Sequence, residues 1–391
     1  MGHPGTHTTT ETAAEPLHNA TGNILVITIL LLALGLVMAA STAPVSNPAL
    51  ARFVVLRHTL WLGLSMVAML VAYSVDYHSL RRFSVVILAV AMAGLVGVLW
   101  FGAVVNGARR WYRIGNFLSF QPSEAYKVAL CLYMADFLAR EQERIKSFLK
   151  GFLQPIVVMG AGFVLILRQP DFGTALLIAV VTFAMMFVAG IRISHVVAAL
   201  TGSVPLLVYA VAVVPYRLRR ILTFLNPWAD PQGAGYQIIQ SLIALGSGGW
   251  VGVGLGNGRQ KLLYLPEAGS DFVFAIIGEE LGLVGCAVVI LLFALLLWQG
   301  LKVARHAPDL FGSLLAFGLT FSICLQAGVN IAVVTCSAPT KGLALPLISS
   351  GGSSLMATTV AIGLLMNIAS HAETEPAPEA RGAVKVRRAS S

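Results

Sequence analysis

Long apolar runs recur along the whole chain and decide what it can fold into. A transmembrane helix needs about 20 consecutive apolar residues. Ten segments approach that length, at residues 23–42, 59–75, 83–105, 123–139, 153–167, 172–191, 195–214, 272–300, 312–334 and 354–371. Because a helix satisfies its own backbone hydrogen bonds in lipid, the sequence predicts an all-α polytopic membrane protein, a bundle of ten transmembrane helices. A charged fraction of 11%, against about 25% in soluble domains, agrees with this class.

The polar segments predict how the chain lies across the membrane. Residues 215–270, between the seventh and eighth spans, are expected to form one large extracytoplasmic loop. Residues 1–22 and 372–391 are predicted to be disordered cytoplasmic tails around a transmembrane domain at 23–371. Lysine and arginine favour cytoplasmic loops. With the large loop left out of the count, cytoplasmic termini place thirteen of these residues inside and seven outside.

Composition excludes several function classes. The net charge of +9 comes from basic residues in loops between spans, so nucleic acid is not a predicted partner. Three of the four cysteines lie in apolar runs and Cys336 lies in a loop without an obvious partner, so no disulfide or zinc site is implied. The run GSGGWVGVGLGNG lacks the strand and helix of a nucleotide-binding loop, and its glycines are predicted to fold tightly against the bundle.

The stretch 264–282, YLPEAGSDFVFAIIGEELG, leads from the large loop into an apolar span and carries four carboxylates. A carboxylate within a membrane costs roughly 2.5 to 3.5 kcal/mol, so a chain retains one where it faces a polar cavity or a partner. Ser270 and Asp271 are also good helix N-caps, and on residue type alone capping and a functional role for Asp271 are equal alternatives. Glu279 lies about 12 Å further along the helix, which favours a structural role for Glu279 and Glu280.

Further polar residues gather on the predicted outer side. The segment 106–124, NGARRWYRIGNFLSFQPSE, mixes arginines with aromatics, for which an interfacial amphipathic stretch is the alternative interpretation. Glu124 and Lys127 are spaced to pair on the fourth span. Asp171 lies in the short turn RQPDFG, and Lys341 lies in the last outer loop. This density of outward cations predicts an anionic ligand.

Five motifs together carry a family resemblance over about residues 23–369. They are GARRWYRIGNFLSFQPSE, RQPDFGTA, LNPWADPQGAGYQIIQSLIALGSGGWVGVGLG, YLPEAGSDFVFAIIGEELG and PTKGLALPLISSGGSS. With these motifs the chain resembles the SEDS family of bacterial membrane glycosyltransferases. PTKGLALPLIS and IIGEELG make it most similar to the cell-division branch, FtsW, rather than the elongation branch, RodA, although sporulation homologues share both.

The resemblance implies a multi-pass protein of the bacterial inner membrane, at the division septum, that polymerises lipid II, the undecaprenyl-pyrophosphate-linked disaccharide pentapeptide. It implies a class B penicillin-binding protein transpeptidase and other divisome membrane proteins as partners. The family's essential Asp falls on Asp271, its last-loop Lys on Lys341 and its Arg-Trp pair on Arg110 and Trp111. No cofactor is implied, and a divalent cation could assist, although no metal-ligand cluster in the sequence establishes one.

Two positions depart from the family pattern. The family has His-Thr before its essential Asp, where this chain has Gly269-Ser270. The family has Ser-Tyr-Gly-Gly in the last motif, where this chain has Ser-Ser-Gly-Gly, with Ser350 at the aromatic position. The first departure is expected to alter hydrogen bonding beside the base, and the second removes an aromatic side chain from the cavity.

Glycan polymerisation requires a base for the acceptor hydroxyl and cations for the departing pyrophosphate. Asp271 is the predicted general base. Fixed positive charge stabilises developing negative charge, and Arg110, Lys341 and Lys261 are the predicted cations. The remaining predicted substrate contacts are Trp111, Glu267, Asp171 and Lys127. Since the donor is α-linked and the product β-linked, a single inverting displacement is expected, without a nucleophilic side chain.

Three alternative functions stay open. The charges of Lys127, Glu124 and Asp171 could line the headgroup path of a lipid II flippase. A non-catalytic scaffold that activates its partner is the second alternative, and a RodA-like polymerase of cell elongation is the third. The concentration of polar residues at one side of the membrane argues against the flippase.

Overall fold

The computed structural model describes residues 19–43, 47–105, 107–115, 118–213, 215–262 and 264–374. These residues form thirteen α-helices: α1 (Ala20–Ser41), α2 (Pro48–Ser74), α3 (Tyr77–Arg82), α4 (Ser84–Phe101), α5 (Pro122–Arg140), α6 (Gln154–Arg168), α7 (Phe172–Val188), α8 (Ile193–Ala212), α9 (Pro215–Leu225), α10 (Tyr236–Gly248), α11 (Val273–His306), α12 (Leu310–Val334) and α13 (Gly352–Thr374). Each of the ten predicted spans overlaps one of these helices. The predicted tails lie largely outside the described residues.

The helices differ in how much of their surface the bundle buries. Seven helices of the described chain are long and apolar enough to cross a membrane, namely α1, α2, α4, the segment Gly151–Arg168 that ends in α6, α11, α12 and α13. Val85, Val86 and Val90 of α4 are each more than half exposed, as lipid-facing side chains are. The prediction of a polytopic helical membrane protein is therefore confirmed, while the count of ten crossings stays a prediction.

Helix α5 lies inside the bundle and is buried along almost its whole length. It packs against α4, α7, α12 and α13, and carries charges at both ends. Glu124 pairs with Lys127 at 2.9 Å, and Asp136 near the other end accepts hydrogen bonds from Arg81, Ser84 and Arg140. Pairing of this kind offsets the cost of burying charge between helices.

One part of the fold corrects the all-α prediction. Residues 103–120 form a three-stranded antiparallel sheet of β1 (Ala103–Val105), β2 (Ala108–Ile114) and β3 (Leu118–Phe120). Gly107, between β1 and β2, has a φ of +76°, as the turn of a tight hairpin requires. The three arginines of this segment, with Trp111 and Tyr112, therefore lie on a strand of a short sheet.

The predicted large loop also contains regular structure. It begins with α9 and then folds into α10, which packs along α11. The glycine run that follows enters a break in α11 at Gly282, where φ is +67°. There the amides of Val253 and Gly254 donate to the carbonyls of Glu279 and Glu280, at 3.0 and 3.1 Å. The loop thus satisfies carbonyls that the broken helix leaves free, which is how irregular backbone is tolerated at membrane depth.

Candidate functional site

The segment that leads to Asp271 is tied to the loop between α12 and α13. Glu267, with a φ of 57°, turns the chain, and its carbonyl accepts from the amides of Ser270 and Phe272. Ser349 donates its hydroxyl to the Ser270 carbonyl at 2.5 Å. The buried Asn330 amide bridges the carbonyls of Asp271 and Leu343, at 2.8 and 2.6 Å. Two loops far apart in sequence therefore form one platform.

The two departures from the family pattern meet in this platform. The Gly269 carbonyl accepts from both the amide and the hydroxyl of Ser350, at 3.0 and 2.7 Å. A Cβ on Gly269 would lie 3.0 Å from the Thr42 hydroxyl and 3.4 Å from that of Ser350. A small residue at 269 and a serine at 350 thus fit each other, and the effect of the two departures on hydrogen bonding beside Asp271 stays a prediction.

The Asp271 side chain lies against the neighbouring loop. A Cβ on Gly342 would be 2.7 Å from Asp271 Oδ2, so a side chain at residue 342 would displace the carboxylate from this position. The N-cap position of α11 is Phe272, whose side chain makes no capping bond. The capping alternative for Asp271 is therefore not supported, and its carboxylate sits half-buried beside the exposed Gly342.

The surroundings of Asp271 raise the pKa of its carboxyl group. Burial raises the pKa of Asp271 to about 7, and the carboxylates of Glu267 and Asp171 act in the same direction. The guanidinium groups of Arg220 and Arg110 act in the opposite direction. A carboxyl group whose pKa lies near the working pH suits a general base, because it is both available and basic enough to accept a proton.

Two cations lie on, or bind to, the loop that carries Gly342. Lys341 directly precedes Gly342, and its ammonium lies 5.1 Å from the centre of the Phe172 ring. Burial lowers the pKa of Lys341, and the charge of Arg220 lowers it further. Arg220, on α9, donates to the Thr340 carbonyl at 3.1 Å. Arg220 is not among the site residues predicted from the sequence, because its position depends on how α9 folds.

Arg110 and Asp171 lie in two further segments whose charges act on Asp271. The Arg110 guanidinium donates to the carbonyls of Gln169 and Pro170, both at 2.6 Å. Asp171 is the N-cap of α7 and accepts from the amide and hydroxyl of Thr174. Burial raises the pKa of Asp171, and Arg110 opposes this rise. Half-buried Trp111 follows Arg110 on β2, and its contact with substrate stays a prediction.

Two predicted substrate contacts are engaged elsewhere. Lys127 is buried in the bundle, where it pairs with Glu124 at 2.9 Å and donates to Gln326 at 2.5 Å. Lys261 is buried in an ion pair with Glu280 at 2.7 Å and donates to the Ser41 hydroxyl at 2.9 Å. Both ammonium groups are therefore held by these partners, and their contact with substrate stays a prediction.

The two deep carboxylates after Asp271 have a structural role, as expected. Glu279 accepts from the amides of Arg259 and Gln260, and Glu280 accepts from the amide of Gly256. They hold the glycine-rich loop in the break of α11. The one group of three potential metal ligands among the described residues, around His78, lies at the opposite end of α11.

The chain is similar to proteins of one family. A family model described as cell cycle protein, of FtsW, RodA and SpoVE, matches residues 22–374. The stage V sporulation protein E of Bacillus subtilis is 43% identical over 354 residues, which cover 88% of this chain and 95% of that relative. A probable peptidoglycan glycosyltransferase FtsW of Geobacter sulfurreducens is 45% identical over 310 residues, which cover 79% of this chain and 83% of that relative.

Solved structures share the fold. One chain, from work on the structural coordination of polymerization and crosslinking by a peptidoglycan synthase complex, is similar with a TM-score of 0.75 and 30% identity, over 90% of this chain and 98% of its own. The rod shape determining protein RodA of Thermus thermophilus is similar with a TM-score of 0.66 and 27% identity, over 89% of this chain and 95% of its own.

Proposed function

Because this chain belongs to the FtsW/RodA/SpoVE family of cell cycle proteins, as its motifs predicted, we propose that it is a peptidoglycan glycosyltransferase that polymerises lipid II into β-1,4 glycan strands during septal cell-wall synthesis. One observation carries the proposal. Asp271 is a half-buried carboxyl group with a pKa of about 7, placed within the electrostatic reach of Arg110 and Arg220 and beside the Lys341–Gly342 segment.

In the proposed reaction, Asp271 accepts the proton of the acceptor sugar's 4-hydroxyl. The hydroxyl oxygen then attacks the anomeric carbon of the donor from the face opposite the pyrophosphate. The new glycosidic bond forms as the bond to undecaprenyl pyrophosphate breaks, and the configuration inverts from α to β. A positioned base contributes about 10²–10⁴-fold to such a step.

The departing pyrophosphate is the anionic ligand that the outer cations accommodate. Lys341 lies on the loop that carries Gly342, and Arg220 binds to that loop. Arg110 lies nearby on β2, where it binds the Gln169 carbonyl. Fixed cations in a site of reduced solvent access stabilise negative charge that develops in the transition state. A divalent cation could share this task, and no residue is assigned to hold one there.

The septal setting and the partners are part of the same proposal. Relatives named FtsW and a stage V sporulation protein support a role in division or sporulation more than in elongation. A similar solved chain comes from a synthase complex that couples polymerization with crosslinking. We therefore assign this chain a class B penicillin-binding protein as transpeptidase partner, with other divisome membrane proteins, in the bacterial inner membrane and with both termini cytoplasmic.

The flippase alternative receives less support from the geometry. Its candidate charges are each engaged locally, since Glu124 and Lys127 pair with each other and Asp171 caps α7. A headgroup path needs polar groups that are available through the depth of the bilayer. The reactive groups instead gather around the loops at one end of α11.

Replacement of Asp271 by asparagine tests the proposal. Asp271→Asn keeps the shape of the side chain but cannot take up the proton, so glycan synthesis should fall by at least about 10²-fold. Polymer length and yield are measured from labelled lipid II with the purified variant bound to its transpeptidase. Asp230→Asn, which removes another carboxylate of the same large loop, is the matched control and should retain normal activity. Substantial polymer from Asp271→Asn would refute the base assignment, and translocation without polymer would support the flippase.

A further inference from the structure

A second polar cluster lies at the far end of the bundle from Asp271. Asp76 is the N-cap of α3, His78 lies in the first turn of that helix, and His371 lies in the last turns of α13. Each offers one ligand atom, and the three atoms lie within 4.8 Å of one another. Asp309, which follows α11, contacts this cluster. The stretch of α11 after its break is 24 residues long, or about 36 Å, so the cluster is remote from the glycosyltransferase site.

Each ring nitrogen of His78 and His371 faces a carboxylate or carbonyl oxygen. His371 Nδ1 lies 2.9 Å from the Asn367 carbonyl, which can only accept, so Nδ1 carries a proton. In a neutral ring this leaves a lone pair on Nε2, which lies 3.9 Å from Asp76 Oδ1. His78 has Nδ1 2.9 Å from Asp76 Oδ1 and Nε2 3.0 Å from Asp309 Oδ2, although a neutral ring has only one N–H. Lone pairs therefore oppose carboxylate oxygens unless a cation lies between them or both rings are protonated.

The spacing suits a cation between these groups. Zinc binds imidazole nitrogen and carboxylate oxygen at about 2.0–2.1 Å, so neighbouring ligand atoms of a tetrahedral site lie about 3.3–3.4 Å apart. The distances from Asp76 Oδ1 to the two rings, 2.9 and 3.9 Å, lie on either side of that value. A change of about 0.5 Å in each of these two distances gives both rings the tetrahedral spacing from Asp76.

The partners behind the rings match those of metal-binding histidines. Such histidines nearly always donate their second N–H to a carboxylate or a carbonyl, which fixes the ring and its tautomer. Asp309 supplies the carboxylate for His78, and Asn367 supplies the carbonyl for His371. Asp309 is itself held by the Tyr77 hydroxyl at 2.5 Å and by the Gly312 amide at 2.9 Å.

We propose that Asp76, His78 and His371 bind a divalent transition metal ion of the zinc class, with a fourth position open to water. A set of two nitrogen ligands and one oxygen ligand favours zinc, nickel or copper over magnesium or calcium. The ion joins the α2–α3 turn to the end of α13. This site is independent of lipid II chemistry, and it escaped the sequence analysis because its ligands lie at opposite ends of the chain.

Zinc titration of the full-length protein tests the proposal. The protein is purified in detergent with an affinity tag free of histidine, stripped with EDTA and titrated with zinc chloride by calorimetry. Wild type should bind one equivalent that His371→Ala loses. His306→Ala is the matched control, because His306 makes the same bond to a carbonyl four residues earlier, Lys302, but is not part of the cluster. The N-terminal histidines are present in every variant, so differences between variants report on this site.

A variant of Asp309, the carboxylate that contacts His78, distinguishes a metal site from a cluster of protonated histidines. Asp309→Asn keeps the cap of α12, since asparagine caps as well as aspartate, and should weaken zinc binding about 10–100-fold. Cobalt(II) should give a tetrahedral visible spectrum in wild type and in His306→Ala. Absence of a zinc equivalent in wild type, or equal zinc binding by wild type, His371→Ala and Asp309→Asn, would overturn the proposal and leave two imidazolium ion pairs. If His371→Ala does not fold, wild type and Asp309→Asn decide the matter.

Discussion

Gly342 offers a test of how closely the position of the Asp271 carboxylate is set. A Cβ at residue 342 would lie 2.7 Å from Asp271 Oδ2, whereas ordinary van der Waals contact begins at 3.4 Å. In Gly342→Ala the carboxylate must therefore retreat by about 0.7 Å. A 1 Å misplacement of a catalytic group can cost about 10²-fold, so a retreat of this size predicts a rate loss of about 20- to 30-fold.

The assay is the initial rate of glycan polymerisation from lipid II by the variant in complex with its transpeptidase. Gly351→Ala is the matched control in the same loop, because a Cβ there would meet its nearest neighbours at 3.6 and 3.9 Å. The control should retain wild-type activity within about twofold, and both variants should unfold near the wild-type temperature. A Gly342→Ala enzyme as fast as the control would refute the reasoning that contact with residue 342 holds the base in place.

Three further predictions concern the charges of the site and the break in α11. Because only the ionised form of Asp271 accepts a proton and its pKa is about 7, the polymerisation rate should rise with pH through about 7. Glu267→Gln removes a neighbouring negative charge and should move this rise to lower pH, and an unmoved pH–rate profile would contradict the assignment. Lys341→Met should reduce polymerisation about 10²–10³-fold with normal membrane insertion, and near-normal activity would remove this lysine from the site. Gly282→Ala should destabilise the protein by about 2 kcal/mol or more in thermal unfolding, because residue 282 has a φ of +67° and its Cβ would meet backbone at 2.4 Å. Gly328→Ala, with open space around it, should be neutral, and equal stability of the two variants would refute this prediction.

The sequence alone was enough for the membrane class and the family, and it singled out Asp271 as the proposed base. Hydropathy is a local and additive property, so each apolar run could be located without knowledge of its neighbours. Asp271 stood out for the same reason, as a carboxylate at the border of an apolar run. The hairpin of β1 and β2 also had a local signal, Asn106-Gly107, that the sequence interpretation did not use.

Only the tertiary structure decided which polar groups meet. Lys261 and Lys341 both belong to segments predicted to lie outside the membrane, yet Lys261 pairs with Glu280 whereas Lys341 precedes Gly342, the residue next to the Asp271 carboxylate. Contacts of this kind join residues far apart in the chain, and no local pattern encodes them. The fit of Gly269 to Ser350 has the same origin. Burial, which is a property of the packed fold, brings the pKa of Asp271 near 7, and packing likewise gathers Asp76, His78 and His371 from the two ends of the sequence.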